Sequence, residues 1–414
     1  MAKILKGATA QETHSAILDL IRSSGTVTRV DLADRSGLTG ASISRVVKQL
    51  LADGLIIETG LGDPTGGKRA TLLQFNPRAR HAVGISIDTP STTYVVTDMS
   101  GRVIEQLSSR GIGRDAPATA VKRITAELED LIVKANVEPA TLIGVGVALA
   151  GRQGGGGARL LRTNSSKYAW EPFAVHDTLS AAIDHPIVVE NDSTCAAIGE
   201  FWAGRIPSAN DFAAVYMAAG FGLGLVTNGD VYRGSSSNVG EIGHMILDVN
   251  GPHCWCGGQG CLESLAAPAA VVKRAEEDQS LVNELALRGR RTAVRSDFAK
   301  IARLAAAGDP RCVKLIEESA TYLAKALLSI TNLLDLDQII LAGPGFSEAG
   351  DIYVRVAATE INRLSFVRAM HPTRVEQSKL GPSAAALGAA SLVLHSQLTP
   401  HQKKSTRALR SGTP

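Results

Sequence analysis

The stretch from Gly240 to Glu263, GEIGHMILDVNGPHCWCGGQGCLE, gathers side chains that bind soft metals. It holds three of the chain's five cysteines, Cys254, Cys256 and Cys261, and two of its nine histidines, His244 and His253. Three thiolates and one imidazole make a closed tetrahedral set for zinc, and soft sulfur ligands favour zinc over magnesium. Four protein ligands leave no position for water, so such an ion would staple the loop without catalysing anything. His244 precedes Cys254 by ten residues and His253 adjoins it; both qualify as the nitrogen ligand. Glu241 and Glu263 flank the segment.

A loop of this kind needs a scaffold, and 414 residues suffice for two or three domains. The chain is 44% hydrophobic, 20% charged and only 4% aromatic, so its core must be mainly Ala, Val, Ile and Leu. No apolar run is long enough for a bilayer and the N-terminus has no secretory pattern. Few, clustered cysteines argue against a disulfide framework and for a reduced, cytoplasmic setting. Residues 1–80 carry 11 Lys/Arg against 7 Asp/Glu, and the last sixteen residues carry four basic groups and no acidic one. The middle is acidic. A basic head on an acidic body points to a polyanionic partner for the head.

The head supports that reading. QETHSAILDLIRSS has helical apolar spacing, and Thr28 can cap a short helix, RVDLADRS, that Gly37 closes. LTGASISRVVKQLLADGLI then sets Ile43, Val46, Val47 and Leu50 in one stripe behind a polar first turn. That is the layout of a recognition helix, with Thr39, Ser42, Ser44, Arg45 and Lys48 facing DNA. LIIET and ATLLQF flank a Gly/Pro/Asp turn as a β-wing, whose Lys68 and Arg69 can meet phosphate or a minor groove.

Beyond residue 82 strands and helices alternate, an α/β pattern. HAVGISIDTPSTTYVVTDMSGRVIEQLSS reads as two strands with a bend at DMSGR. FAAVYMAAGFGLGLVTNG reads as one strand, and long helices are expected near 265–278 and 310–334. A last helix is expected near 383–396. The tail, HQKKSTRALRSGTP, has few apolar residues and reads as disordered.

Four segments carry a resemblance. GEIGH…CWCGGQGCLE resembles the signature of the ROK (repressor, open reading frame, kinase) family. VENDSTCAAIGE resembles its catalytic-aspartate segment, AAGFGLGLVTNG its second phosphate loop, and LAGPG its adenosine loop. With a winged helix-turn-helix in front, the chain is similar to the repressor branch, which includes xylose and N-acetylglucosamine repressors. The resemblance implies a winged head (α+β) at 1–78 and a two-lobed, actin-like (ribonuclease H-like) α/β body. One lobe would comprise 79–190 with 383–398. The second lobe, 191–382, would carry the zinc loop and a helical dimerisation region, and 399–414 would be a basic tail. It implies sugar contacts at Gly151, Asn164, Asn191, Asp192, Glu241, His244 and Glu263, and zinc on His244, Cys254, Cys256 and Cys261, which favours His244 over His253. Asp192 matches the kinases' general base.

The chain also departs from the family's kinases. Their first phosphate turn reads Asp-x-Gly-Gly-Thr; here Ser86 replaces the Asp, Asp88 and Thr89 the glycines, and Pro90 the Thr. The backbone loses close approach and one N–H, and Asp88 repels an anion. The second loop keeps Gly220, Gly222 and Gly224 but has Ala219 in place of a hydroxyl, and Ala150 replaces a usual proline. The expected protein is therefore a sugar-responsive repressor without catalytic residues. It would be a homodimer or homotetramer on double-stranded operator DNA, with a sugar or sugar-phosphate effector and no membrane partner. The alternatives are an ATP-dependent sugar kinase with an added DNA-binding head, and a regulator whose body binds a protein.

Overall fold

The computed structural model describes residues 10–62, 69–113, 115–151, 153–154, 157–158, 175–202, 206, 211–289 and 293–398. The head comprises α1 (Ala10–Ser24), β1 (Thr26–Val27), α2 (Arg29–Ser36), α3 (Gly40–Ala52), β2 (Ile56–Leu61) and β3 (Thr71–Phe75). Thr28 caps α2 in a reciprocal box: its hydroxyl accepts from Asp31 N–H, and the Asp31 carboxylate accepts from Thr28 N–H at 2.9 Å. Gly37 ends α2 at φ 70°, a left-handed position that suits glycine. Ile17, Ile21, Leu32, Ile43, Val47 and Leu50 bury together under a sheet of order β1-β3-β2. Met99, from the body, completes this core, so head and body share apolar packing.

The first body sheet takes β4 (His81–Ile87), β5 (Ser91–Asp98), β6 (Val103–Arg110), β7 (Leu142–Leu149) and β10 (Ile187–Asn191) in the order β10-β7-β4-β5-β6. Between β7 and β10 lie the two-residue β8 (Gln153–Gly154) and β9 (Gly157–Ala158), and α5 (Val175–Ala182); α4 (Pro117–Ala135) precedes β7. The expected two-strand start is three strands. Asp88 to Pro90 form a second bend, because Pro90 has no N–H for a ladder. The second sheet has the order β13-β12-β11-β14-β15. The run expected as one strand folds at Ala218–Gly220 into antiparallel β11 (Phe212–Met217) and β12 (Phe221–Thr227), with β13 (Asp230–Val231) beyond. Helical structure expected near 265–278 divides at Pro268 into α7 (Leu262–Ala266) and α8 (Pro268–Ala275), since Ala267 before the proline is extended.

The remaining elements are α9 (Gln279–Leu285), α10 (Val294–Ala306), α11 (Pro310–Leu334), β14 (Gln338–Ala342), α12 (Gly350–Leu364), β15 (Arg374–Gln377) and α13 (Ala384–Leu398). Helix α6 (Asp192–Trp202) and α13 cross at the centre of the body. They approach so closely that a Cβ on Gly388 would stand 1.6 Å from the Cys195 carbonyl oxygen. Gly84 and Gly146 bring α13 equally close to β4 and β7. The alanines and glycines of AAALGAAS thus replace bulky side chains with backbone proximity, which is how an aromatic-poor chain builds this junction. No described helix is long and apolar enough to cross a membrane.

Candidate metal centre and cleft

In the head, Thr39 caps α3 and its hydroxyl meets that of Ser42 at 3.0 Å. Thr39, Ser44, Arg45 and Lys48 are exposed and Ser42 half-exposed, while Ile43, Val47 and Leu50 face inward. The stripe therefore turns the polar first turns outward. Arg69 is exposed beside β3; Lys68 lies outside the described residues.

The loop after β13 folds the four proposed ligands together. The ligand atoms of His244, Cys254, Cys256 and Cys261 all lie within 4.8 Å of one another, a set that can hold a metal ion. His244 presents Nδ1 to the thiols, 3.7 Å from Cys254 Sγ. His253 is exposed and pairs across the loop with Gln259, outside the set. Cys254 N–H donates to the Gly258 carbonyl at 2.8 Å and Gly258 N–H to Cys256 Sγ at 3.4 Å, so the backbone winds tightly around the sulfurs. Gly260, at φ 69°, has no space for a Cβ, which would stand 1.6 Å from the Asp248 carbonyl oxygen. Burial and the adjoining thiols push Cys261 up to about 12. Three thiols crowded this way ionise together only beside a cation.

The same loop places Trp255 and Glu263 beside His244. Glu263, on α7, accepts a hydrogen bond from Trp255 Nε1 at 2.5 Å, and the Trp255 ring meets His244 edge-on at 5.1 Å between centroids. With Nδ1 turned to the sulfurs, His244 keeps Nε2 for the other side. Burial raises the Glu263 carboxyl above its ordinary range. Glu241 precedes the single 3-10 turn Ile242–His244 that carries His244.

A second group of polar side chains stands at the N-terminus of α6. Asn191 Oδ1 accepts from the N–H groups of Ser193 (3.0 Å) and Thr194 (3.2 Å), and its Nδ2 donates to the Gly151 carbonyl at 3.3 Å. Asn191 thereby caps α6 and pins Gly151, which sits at φ 126° where only glycine is comfortable. Asp192 accepts from Ser193 N–H at 2.8 Å. Burial, with the charges of Asp88 and Glu241 nearby, pushes Asp192 up to about 7. Asn164 lies outside the described residues.

Sequence reasoning missed four participants. Tyr216 of β11 shares a hydrogen bond with Ser86 of β4, and Arg295 of α10 donates to Ser91 Oγ of β5 at 2.6 Å. Both bonds join the two lobes at the turn that replaces the kinases' first phosphate loop. Trp255 locks Glu263. No local signal marks Arg295, which is 204 residues from Ser91.

A two-sheet body with a thiol-rich loop and buried carboxyl groups, behind a winged helix-turn-helix, defines a class. The ROK family profile matches residues 82–396 and that of the MarR family residues 9–68. This chain belongs to the ROK family. It is 25% identical to the xylose repressor of Bacillus subtilis (strain 168) over 378 residues, 91% of this chain and 94% of the relative. It is 27% identical to the DNA-binding transcriptional dual regulator NagC of Escherichia coli (strain K12) over 397 residues, 94% of this chain and 93% of that one. A ROK family transcriptional regulator described as a homolog of the E. coli MLC protein shares the fold at a TM-score of 0.74 and 22% identity, covering 94% of this chain and 97% of that one. A ROK family glucokinase from Streptomyces griseus, solved with glucose and AMPPNP, matches at 0.62 and 24% identity, over 75% of this chain and 98% of its own.

Proposed function

We propose that this chain is a sugar-responsive DNA-binding transcriptional regulator, acting as a repressor. The observation that carries the reading is the union of an outward-facing, polar α3 with a cleft where Asp192, Glu241, His244 and Glu263 converge. Relatives over nine-tenths of the chain bear repressor and regulator names. Thr39, Ser42, Ser44, Arg45 and Lys48 would meet the major groove, with Lys68 and Arg69 on the backbone or minor groove. The domain division is 1–78, 79–190 with 383–398, 191–382 and 399–414, and the working form is a homodimer or homotetramer in the cytoplasm. Zinc is the ion for the His/Cys3 set, because thiolates are soft ligands and three of them with one imidazole close the sphere. It would be structural.

Kinase activity is the second reading, favoured by Asp192 in the base position. Against it stands the turn at Asp88–Pro90, whose amide hydrogens are engaged within the protein. Fluorescence anisotropy on operator DNA, with a panel of free and phosphorylated sugars, tests the regulator reading. One sugar should shift DNA affinity about tenfold or more, the scale of ordinary allosteric coupling. No shift with any sugar, together with sugar-dependent ADP release at kinase rates, would replace this reading with the second.

A further inference from the structure

The cleft is an acidic enclosure. The charge of Asp88 bears on Asp192, and that of Glu241 on both Asp192 and Glu263. Among the described residues, one guanidinium, Arg295, and an imidazole whose Nδ1 faces the thiols stand against these four carboxylates. Arg295 is already engaged: Nη1 bonds Ser91 Oγ, and its charge offsets that of Asp88.

Anion binding needs free N–H donors as well as positive charge. At the turn from Asp88 to Ser91, Asp88 N–H donates to the Ser91 carbonyl at 3.1 Å and Thr89 N–H to Asp88 Oδ1 at 2.7 Å; Pro90 has none. The turn is also pressed from behind. A Cβ on Gly111 would stand 2.3 Å from the carbonyl oxygens of both Asp88 and Thr89. Across the cleft, the space above Gly220 holds the Glu263 carboxylate, and that above Gly222 and Gly224 holds Ser193 and Ala197. Those glycines permit close protein packing.

Resting on the reading of the body as a sugar sensor, we propose that this cleft takes an unphosphorylated sugar and rejects its phosphate ester. Hydroxyls donate to the ionised carboxylates, and Asp192, at about 7, both accepts and donates. Among the described residues, a phosphate dianion finds no free amide at the turn from Asp88 to Pro90 and no unengaged cation beside it, and Asp88 repels it. Asp88 is thus a specificity-determining residue of a turn that held phosphate in related kinases.

Isothermal titration calorimetry on the full-length, zinc-loaded protein tests this with matched pairs: glucose and glucose 6-phosphate, N-acetylglucosamine and its 6-phosphate, xylose and its 5-phosphate. At least one free sugar should bind, with its phosphate about tenfold weaker or worse, as expected where discrimination works by repulsion. Asp88→Asn keeps the acceptor for Thr89 N–H while removing the charge, and should narrow that ratio. A phosphate that binds as tightly as its free sugar overturns the proposal and leaves sugar sensing intact. If that binding disappears in Arg295→Ala, Arg295 is a phosphate clamp instead. An unchanged ratio in Asp88→Asn also overturns the role given to Asp88. Failure of every sugar, free or phosphorylated, removes the sensor reading itself.

Discussion

Asp192 shows how a single side chain can report its surroundings. Its carboxyl sits at about 7 against an ordinary 3.8, chiefly through burial. Between those values the folded protein holds a proton that the unfolded chain has released. The stability tied to that proton is complete below about pH 4 and is lost as pH rises through 7. Asp192→Asn cannot ionise, so its stability relative to wild type should climb across that window by up to about 1.4 kcal/mol per pH unit. Urea melts at pH 4, 6 and 8 measure it; parallel curves would refute the burial account. The same variant should lose about tenfold in sugar affinity, the worth of one hydrogen bond to a charged group. At the thiols the expected outcome is different in kind. Chelation with a strong zinc ligand should lower the melting temperature and release Glu263 from Trp255, since metal affinity at such sites is folding energy. An unchanged melting temperature after confirmed metal removal would end the staple reading.

At the scale of elements, α6 and α13 carry the most stringent packing. Gly388→Ala must drive a methyl group into the Cys195 carbonyl, so one helix has to move. The expected cost is about 3 kcal/mol or more, at the upper end of overpacking, seen as a lower urea midpoint at unchanged slope. A neutral result would mean that the helices slide freely. The strands illustrate the other side. Helices such as α3 and α11 were legible because their apolar stripes repeat at helical spacing. The bend at Asp88–Pro90 and the hairpin at Ala218–Gly220 were not, because buried strands run apolar through a turn without any change of period.

Across the whole molecule, α6 links the candidate cleft to the head. It begins at Asp192 and ends at Trp202, whose ring lies 4.0 Å beneath the Arg22 guanidinium of α1. Trp202 also meets His395 of α13 edge-on at 5.4 Å. A shift of α6 on sugar binding would therefore reach the helix on which α3 packs. Trp202→Ala should keep sugar affinity within about twofold yet reduce the effect of sugar on DNA affinity, because coupling needs a contact that differs between states. Calorimetry and anisotropy on the same preparation separate the two. Full coupling in Trp202→Ala would place the route elsewhere.

The sequence by itself determined the local and the periodic: the Thr28 cap, the α3 stripe, and the three cysteines of the thiol loop with two candidate histidines, His244 and His253, beside them. Each is written in neighbouring residues or a regular repeat, so no distant partner is needed to read it. Tertiary structure alone decided that Ser86 meets Tyr216, that Ser91 meets Arg295, and that Trp255 holds Glu263. It also decided that Asp88 and Asp192 share one enclosure. These depend on how two lobes close on each other, and loop closure joins residues 204 apart without leaving a pattern between them.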